Sequence, residues 1–65
     1  MITIEEVLED MQHRIQLDDP TECNLPTAIS ITTNGKFMLN YSISQKASIY
    51  PTLDALVKTY AEEYL

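Results

Sequence analysis

Chemistry in this chain would have to start from His13 and Cys23, its one histidine and its one cysteine. A thiolate nucleophile with an imidazole base needs a third group to orient the ring and donors to receive the developing oxyanion. Neither can be nominated here, because both residues fall at or near the end of a helical pattern in a very small chain. Asp18, Asp19 and Glu22 offer oxygen ligands to a divalent cation. They lack the alternating ligand spacing and the glycine of a calcium loop, so they read as a solvated acidic turn. No catalytic, cofactor-binding or metal-binding residue is assigned. The expectation is a non-enzymatic protein, with a small enzyme using His13 and Cys23 as the competing class.

Charge is the more informative feature. The formal net charge is −6, and one end of the chain holds the whole imbalance. Residues 1–25 carry Glu5, Glu6, Glu9, Asp10, Asp18, Asp19 and Glu22 against Arg14 alone, whereas Asp54, Glu62 and Glu63 are cancelled by Lys36, Lys46 and Lys58. Lysines and arginines are too few and too scattered to neutralise phosphates, so direct nucleic-acid binding is not expected. Such an acidic set either solubilises the chain or docks a basic protein partner, raising the association rate more than the final affinity. The partner-binding surface is assigned to Glu5, Glu6, Glu9, Asp10, Asp18 and Asp19. A DNA-mimic inhibitor of a nucleic-acid-binding protein is the alternative that shares the size and sign of charge.

The elements that must position these residues are organised around a hairpin. Two alternating runs, Ala28 to Thr32 and Lys36 to Ile43, meet at Asn34-Gly35, the strongest hairpin signal in the chain. A two-residue loop would put Ile29 and Ile31 on one face and Phe37, Leu39, Tyr41 and Ile43 on the other. A three-residue loop of Thr33, Asn34 and Gly35 instead pairs Ile31 with Phe37, Ile29 with Leu39 and Thr27 with Tyr41, so that one face takes every large apolar residue. Gly35, the only glycine, is then free to take the positive φ of a G1 bulge. The opposite face carries Ala28, Ser30, Thr32, Lys36, Met38, Asn40, Ser42 and Ser44.

Thr3-Ile4-Glu5-Glu6 reads as a capping box, and Ile2 with Val7 occupies the positions of a hydrophobic staple. Ile4, Val7, Leu8, Met11 and Ile15 continue at helical spacing, so helix 1 is expected over 3–17. Two prolines make 18–26 a surface connection. Leu53, Leu56, Val57, Tyr60, Ala61 and Tyr64 form the cleanest helical stripe, with Pro51 in the first turn and the cap supplied by Ser48 or a start at Tyr50. The fold class is therefore α+β, a two-layer α-β-β-α arrangement. Its antiparallel hairpin covers about 27–33 and 36–44, with helices over about 3–17 and 51–64 on one face. A short extra strand from Ala47 to Tyr50 is the alternative. The expected core is Val7, Leu8, Met11, Ile15, Ile29, Ile31, Phe37, Leu39, Tyr41, Leu53, Leu56, Val57 and Tyr60.

Lys36-Phe37-Met38-Leu39 followed by Tyr50-Pro51-Thr52-Leu53-Asp54-Ala55-Leu56-Val57-Lys58-Thr59-Tyr60 resembles the back half of an SH2 domain. There a strand leads into a helix with an aromatic-x-Ser/Thr-Leu-x-x-Leu-Val-x-x-Tyr pattern. The resemblance covers less than half of the chain. The phosphotyrosine-binding arginine of that family stands on an earlier strand, where this chain offers only Arg14 on an expected helix, so no binding residue carries over.

Sixty-five residues make one small domain that buries only about 60% of its unfolded surface. No apolar run approaches the ~18 residues of a membrane span, and no basic segment leads an apolar one, so neither a membrane nor a signal peptide is expected. A cytoplasmic location suits the single cysteine. A hairpin alone leaves two uncharged edges open, and a homodimer joined through a hairpin edge is expected to use one of them.

Overall fold

The computed structural model describes all 65 residues. Its elements are α1 (Ile4–Leu17), β1 (Pro26–Ile31), β2 (Phe37–Tyr41), β3 (Ser48–Tyr50) and α2 (Leu53–Tyr64). The architecture is α+β, with the sheet antiparallel throughout and ordered β1-β2-β3.

The hairpin closes through the three-residue loop. Ile31 pairs with Phe37 and Ile29 with Leu39. The Thr32 amide donates to the Lys36 carbonyl at 2.8 Å, the Gly35 amide donates back to the Thr32 carbonyl at 2.9 Å, and Gly35 has φ +81°. The strands are shorter than the alternation suggests, because this turn takes Thr33 and Lys36, and Ser42 leaves the ladder to bind the loop before β1. Tyr41 pairs with Pro26 rather than Thr27, through a bulge between Pro26 and Ala28. Pro26 has no amide to offer the ladder, which suits it to a bulged strand end.

The hairpin is extended by β3, the short strand named as the alternative over Ala47 to Tyr50. Phe37 pairs with Tyr50, Met38 with Ile49 and Leu39 with Ser48. β2 thereby becomes the central strand, and the edge expected to stand open along it is closed. Ser48 is then unable to cap α2. Thr52 does so, its hydroxyl accepting from the Ala55 amide at 3.1 Å, and Pro51 precedes the cap instead of opening the helix. At the other helix the Thr3 hydroxyl accepts from the Glu6 amide at 3.2 Å, while the Glu6 carboxylate meets the Thr3 hydroxyl and not its backbone.

Both helices lie on one face of the sheet, the α1 backbone against β1 and α2 against β2 and β3. Val7, Met11, Leu39, Leu56 and Tyr60 form the buried core, with Ile29, Phe37, Tyr41, Val57 and Tyr64 packed around it. Leu8 and Ile31 are corrections: they are 47% and 71% exposed. With 3.6 residues per turn, Val7 and Met11 fix the buried direction of α1, and Leu8 falls on its flank. Ile31 ends the edge strand beyond the shelter of the helices.

The connection from α1 to β1 is tied down by side chains. Asn24 Oδ1 accepts from the amides of Ile43 and Ser44, and Ser42 Oγ accepts from the Leu25 amide while donating to the Cys23 carbonyl. These bonds satisfy backbone groups that would otherwise need water.

Candidate functional site

Capped at Thr3 and anchored through Val7 and Met11, α1 is held with its opposite face to solvent. That outward face carries Glu5, Glu6 and Glu9, all exposed. Glu5 and Glu9 stand one turn apart, with Glu6 beside them. No lysine, arginine or histidine pairs with any of the three, since the one ion pair of the protein joins Arg14 to Asp10. Exposed Asp18 and Asp19 follow at the end of the helix.

Asp10 belongs elsewhere. It lies on the flank of α1 that faces α2, where its Oδ2 accepts from the Tyr60 hydroxyl at 2.6 Å and from Arg14 Nε at 2.7 Å. Arg14 also donates to the Tyr64 carbonyl and lies over the Tyr64 ring, 4.9 Å from its centroid. The Tyr60 and Tyr64 rings are themselves 4.7 Å apart. The four side chains form a latch between the two helices. Burial works against the Asp10 carboxylate, but the hydrogen bonds from Tyr60 and Arg14 outweigh it and hold the group below its ordinary value. The Tyr60 hydroxyl is pushed up by burial and by its bond to that carboxylate. Asp10 and the acids of the outward face therefore do different jobs, and the sequence contained no sign of this except that Tyr60 and Arg14 each lie where a helix could present them.

Asp19 turns inward on its own loop. Its Oδ1 accepts from the Thr21 hydroxyl at 2.7 Å and from the Thr21 amide at 2.9 Å, and these bonds lower its pKa. Asp19 thus organises a turn, and no three His, Cys, Asp or Glu side chains are grouped to hold a metal ion. His13 and Cys23 are both exposed, and no hydrogen bond joins them. One hollow lies between the N-terminal segment and α2. Ile2, Val57 and Ala61 give it apolar walls, with Lys58 between Asp54 and Glu62 at the rim. No serine, threonine, cysteine or histidine lines it.

No helix is long and apolar enough to cross a membrane. Compared with protein-family models, curated proteins and solved structures, the chain matches none.

Proposed function

We propose that this protein is a non-enzymatic interaction module that docks a basic protein partner through the outward face of α1. The observation that carries the reading is the set of carboxylates at Glu5, Glu6 and Glu9, none with an ion-pair partner, held on a rigid helix and continued by Asp18 and Asp19. Such a field captures a cationic surface at a distance and accelerates encounter, an effect that salt screens. Asp10 supports the surface from beneath by fixing α1 against α2. A cytoplasmic location goes with this reading, since it keeps the exposed Cys23 reduced.

The test is affinity capture from native lysate with the wild-type chain and with a Glu5→Gln/Glu6→Gln/Glu9→Gln variant. A basic protein should be retained by the wild type and lost both from the variant and at about 1 M salt, where the Debye length falls to ~3 Å. Retention by the folded variant, with loss on His13→Ala or Cys23→Ser instead, would overturn the acidic-face reading.

A further inference from the structure

Of the asparagines Asn24, Asn34 and Asn40, the fold holds the side-chain amides of two. Asn24 Oδ1 accepts from the Ile43 and Ser44 amides, and Asn40 Nδ2 donates to Ser30 Oγ at 3.0 Å. Asn34 is different. It is exposed at the tip of the hairpin, and its one side-chain hydrogen bond is local: the Thr33 hydroxyl donates to Asn34 Oδ1 at 3.3 Å, while Nδ2 has no partner. The residue that follows is Gly35, the only glycine of the chain.

This sequence of three residues sets an amide carbon beside a backbone nitrogen that nothing shields. Asn34 Cγ and the Gly35 nitrogen are tethered on one chain, so their reaction closes a succinimide ring without a diffusional encounter. A side chain at position 35 would stand next to the attacking nitrogen. Glycine has none, and a Cβ built there meets nothing within 4 Å, so the approach is open to solvent. The Thr33 hydroxyl already donates to Oδ1, the atom that takes up negative charge in the tetrahedral intermediate, which is where a donor stabilises most. One contact opposes the reaction. The Gly35 amide donates to the Thr32 carbonyl at 2.9 Å and must leave it before the nitrogen can attack. That bond closes an exposed turn, so opening it breaks no core contact.

We propose that Asn34 is a self-modifying site, at which the turn converts asparagine into aspartate and its β-linked isomer. The Gly35 nitrogen attacks Cγ and gives up its proton, and the new C–N bond replaces the bond from Cγ to Nδ2. Nδ2 takes a proton in exchange and leaves as ammonia. Water then adds to either carbonyl of the succinimide and opens it, leaving a carboxylate at position 34 with Gly35 joined through the α- or the β-carbonyl. Residues 24–51 contain no acid, so this is the first carboxylate in the strands and their turns, and it lies close to Lys36. The aspartyl form keeps the turn. The β-linked form adds a backbone carbon to the loop that sets Ile31 against Phe37, and so loosens the hairpin as the protein ages.

The experiment incubates the folded full chain in mildly alkaline heavy-oxygen water and maps the products by peptide mass spectrometry. Heavy oxygen should enter position 34 and neither Asn24 nor Asn40, in a species that elutes as more acidic on ion exchange. Synthetic aspartyl and isoaspartyl peptides of the same sequence identify the two linkages, and the β-linked one can arise only through the ring. Thr33→Val should slow the conversion severalfold, Thr33→Ser should restore it, and Gly35→Ala should suppress it. Should the Gly35 variant fail to fold, the wild-type map and the Thr33 pair decide. No incorporation at position 34 of the folded chain overturns the proposal, and incorporation in the urea-unfolded chain would then assign the protection to the bond between Gly35 and Thr32. Conversion of Asn24 or Asn40 at the same rate overturns it as well, because the fold would then select nothing. Equal rates for the wild type and Thr33→Val remove the hydroxyl from the reaction and overturn the assisted turn.

Discussion

At the residue scale, Asp10 shows how one carboxylate among several becomes structural. Its oxygen receives a tyrosine and an arginine at 2.6 and 2.7 Å, and hydrogen bonds to a charged group are worth ~1.5–3 kcal/mol. Tyr60→Phe should cost about that much, read as the midpoint of urea unfolding at neutral pH. The pH dependence has a definite sign. Asp10 titrates below its ordinary 3.8 in the folded protein, so its stabilisation is present above that value and is lost as pH falls through the lowered one. Asp10→Asn should therefore be destabilised at pH 7 and converge on the wild type as the pH is taken well below 3.8. A constant difference across that range would show that the carboxylate is not the group being protonated. Tyr60 behaves in the opposite sense: its neutral form is favoured by burial and by Asp10, so its contribution is complete below pH 10 and fades above it.

Turns and caps decide matters at the element scale. Gly35 sits at φ +81°, and a Cβ added there would meet nothing within 4 Å, so the cost of Gly35→Ala is one of backbone conformation alone. About 1 kcal/mol is expected, with Gly35→Asn recovering part of it because asparagine tolerates the left-handed region. Thr52→Ala should cost ~1 kcal/mol through loss of the bond to the Ala55 amide. Ser48→Ala should leave the start of α2 unchanged, because Ser48 belongs to β3. Amide chemical shifts at Leu53 to Ala55 distinguish the two. Movement of those shifts in the Ser48 variant and none in the Thr52 variant would restore Ser48 as the cap.

For the molecule as a whole, the core is small enough that single truncations compete with total stability. Leu39 and Leu56 are 2% and 0% exposed, and truncation of such residues costs ~2–5 kcal/mol. A domain of this size holds roughly 0.05–0.15 kcal/mol per residue, so Leu39→Ala or Leu56→Ala should largely unfold it, seen as loss of amide dispersion. Leu8→Ala and Ile31→Ala should each shift stability by no more than about 0.5 kcal/mol, as exposed positions do. The third strand also changes the expectation of a hairpin-edge dimer. One of the two supposed edges, that of β2, is the interior of the sheet, and only the edge of β1 is left to it.

Much of this was readable from local rules. The helix over Ile4–Leu17 follows from a capping threonine and the spacing of Ile4, Val7 and Met11. The hairpin register follows from a single requirement, that Ile29, Phe37 and Leu39 share a face, together with one glycine able to take positive φ. These are short-range constraints, in which every interacting group lies within a few residues or across a turn. What local rules left open depended on groups far apart in sequence. β3 is only three residues long and carries little pattern of its own, so its place was decided by the free edge of β2. Leu8 and Ile31 fit the apolar stripes as well as their neighbours do, and only the lateral positions of α1 and the sheet left them exposed. Asp10 was one acid of four until tertiary packing brought Tyr60 to within 2.6 Å, because a side chain's chemistry is set by the partners that folding delivers to it.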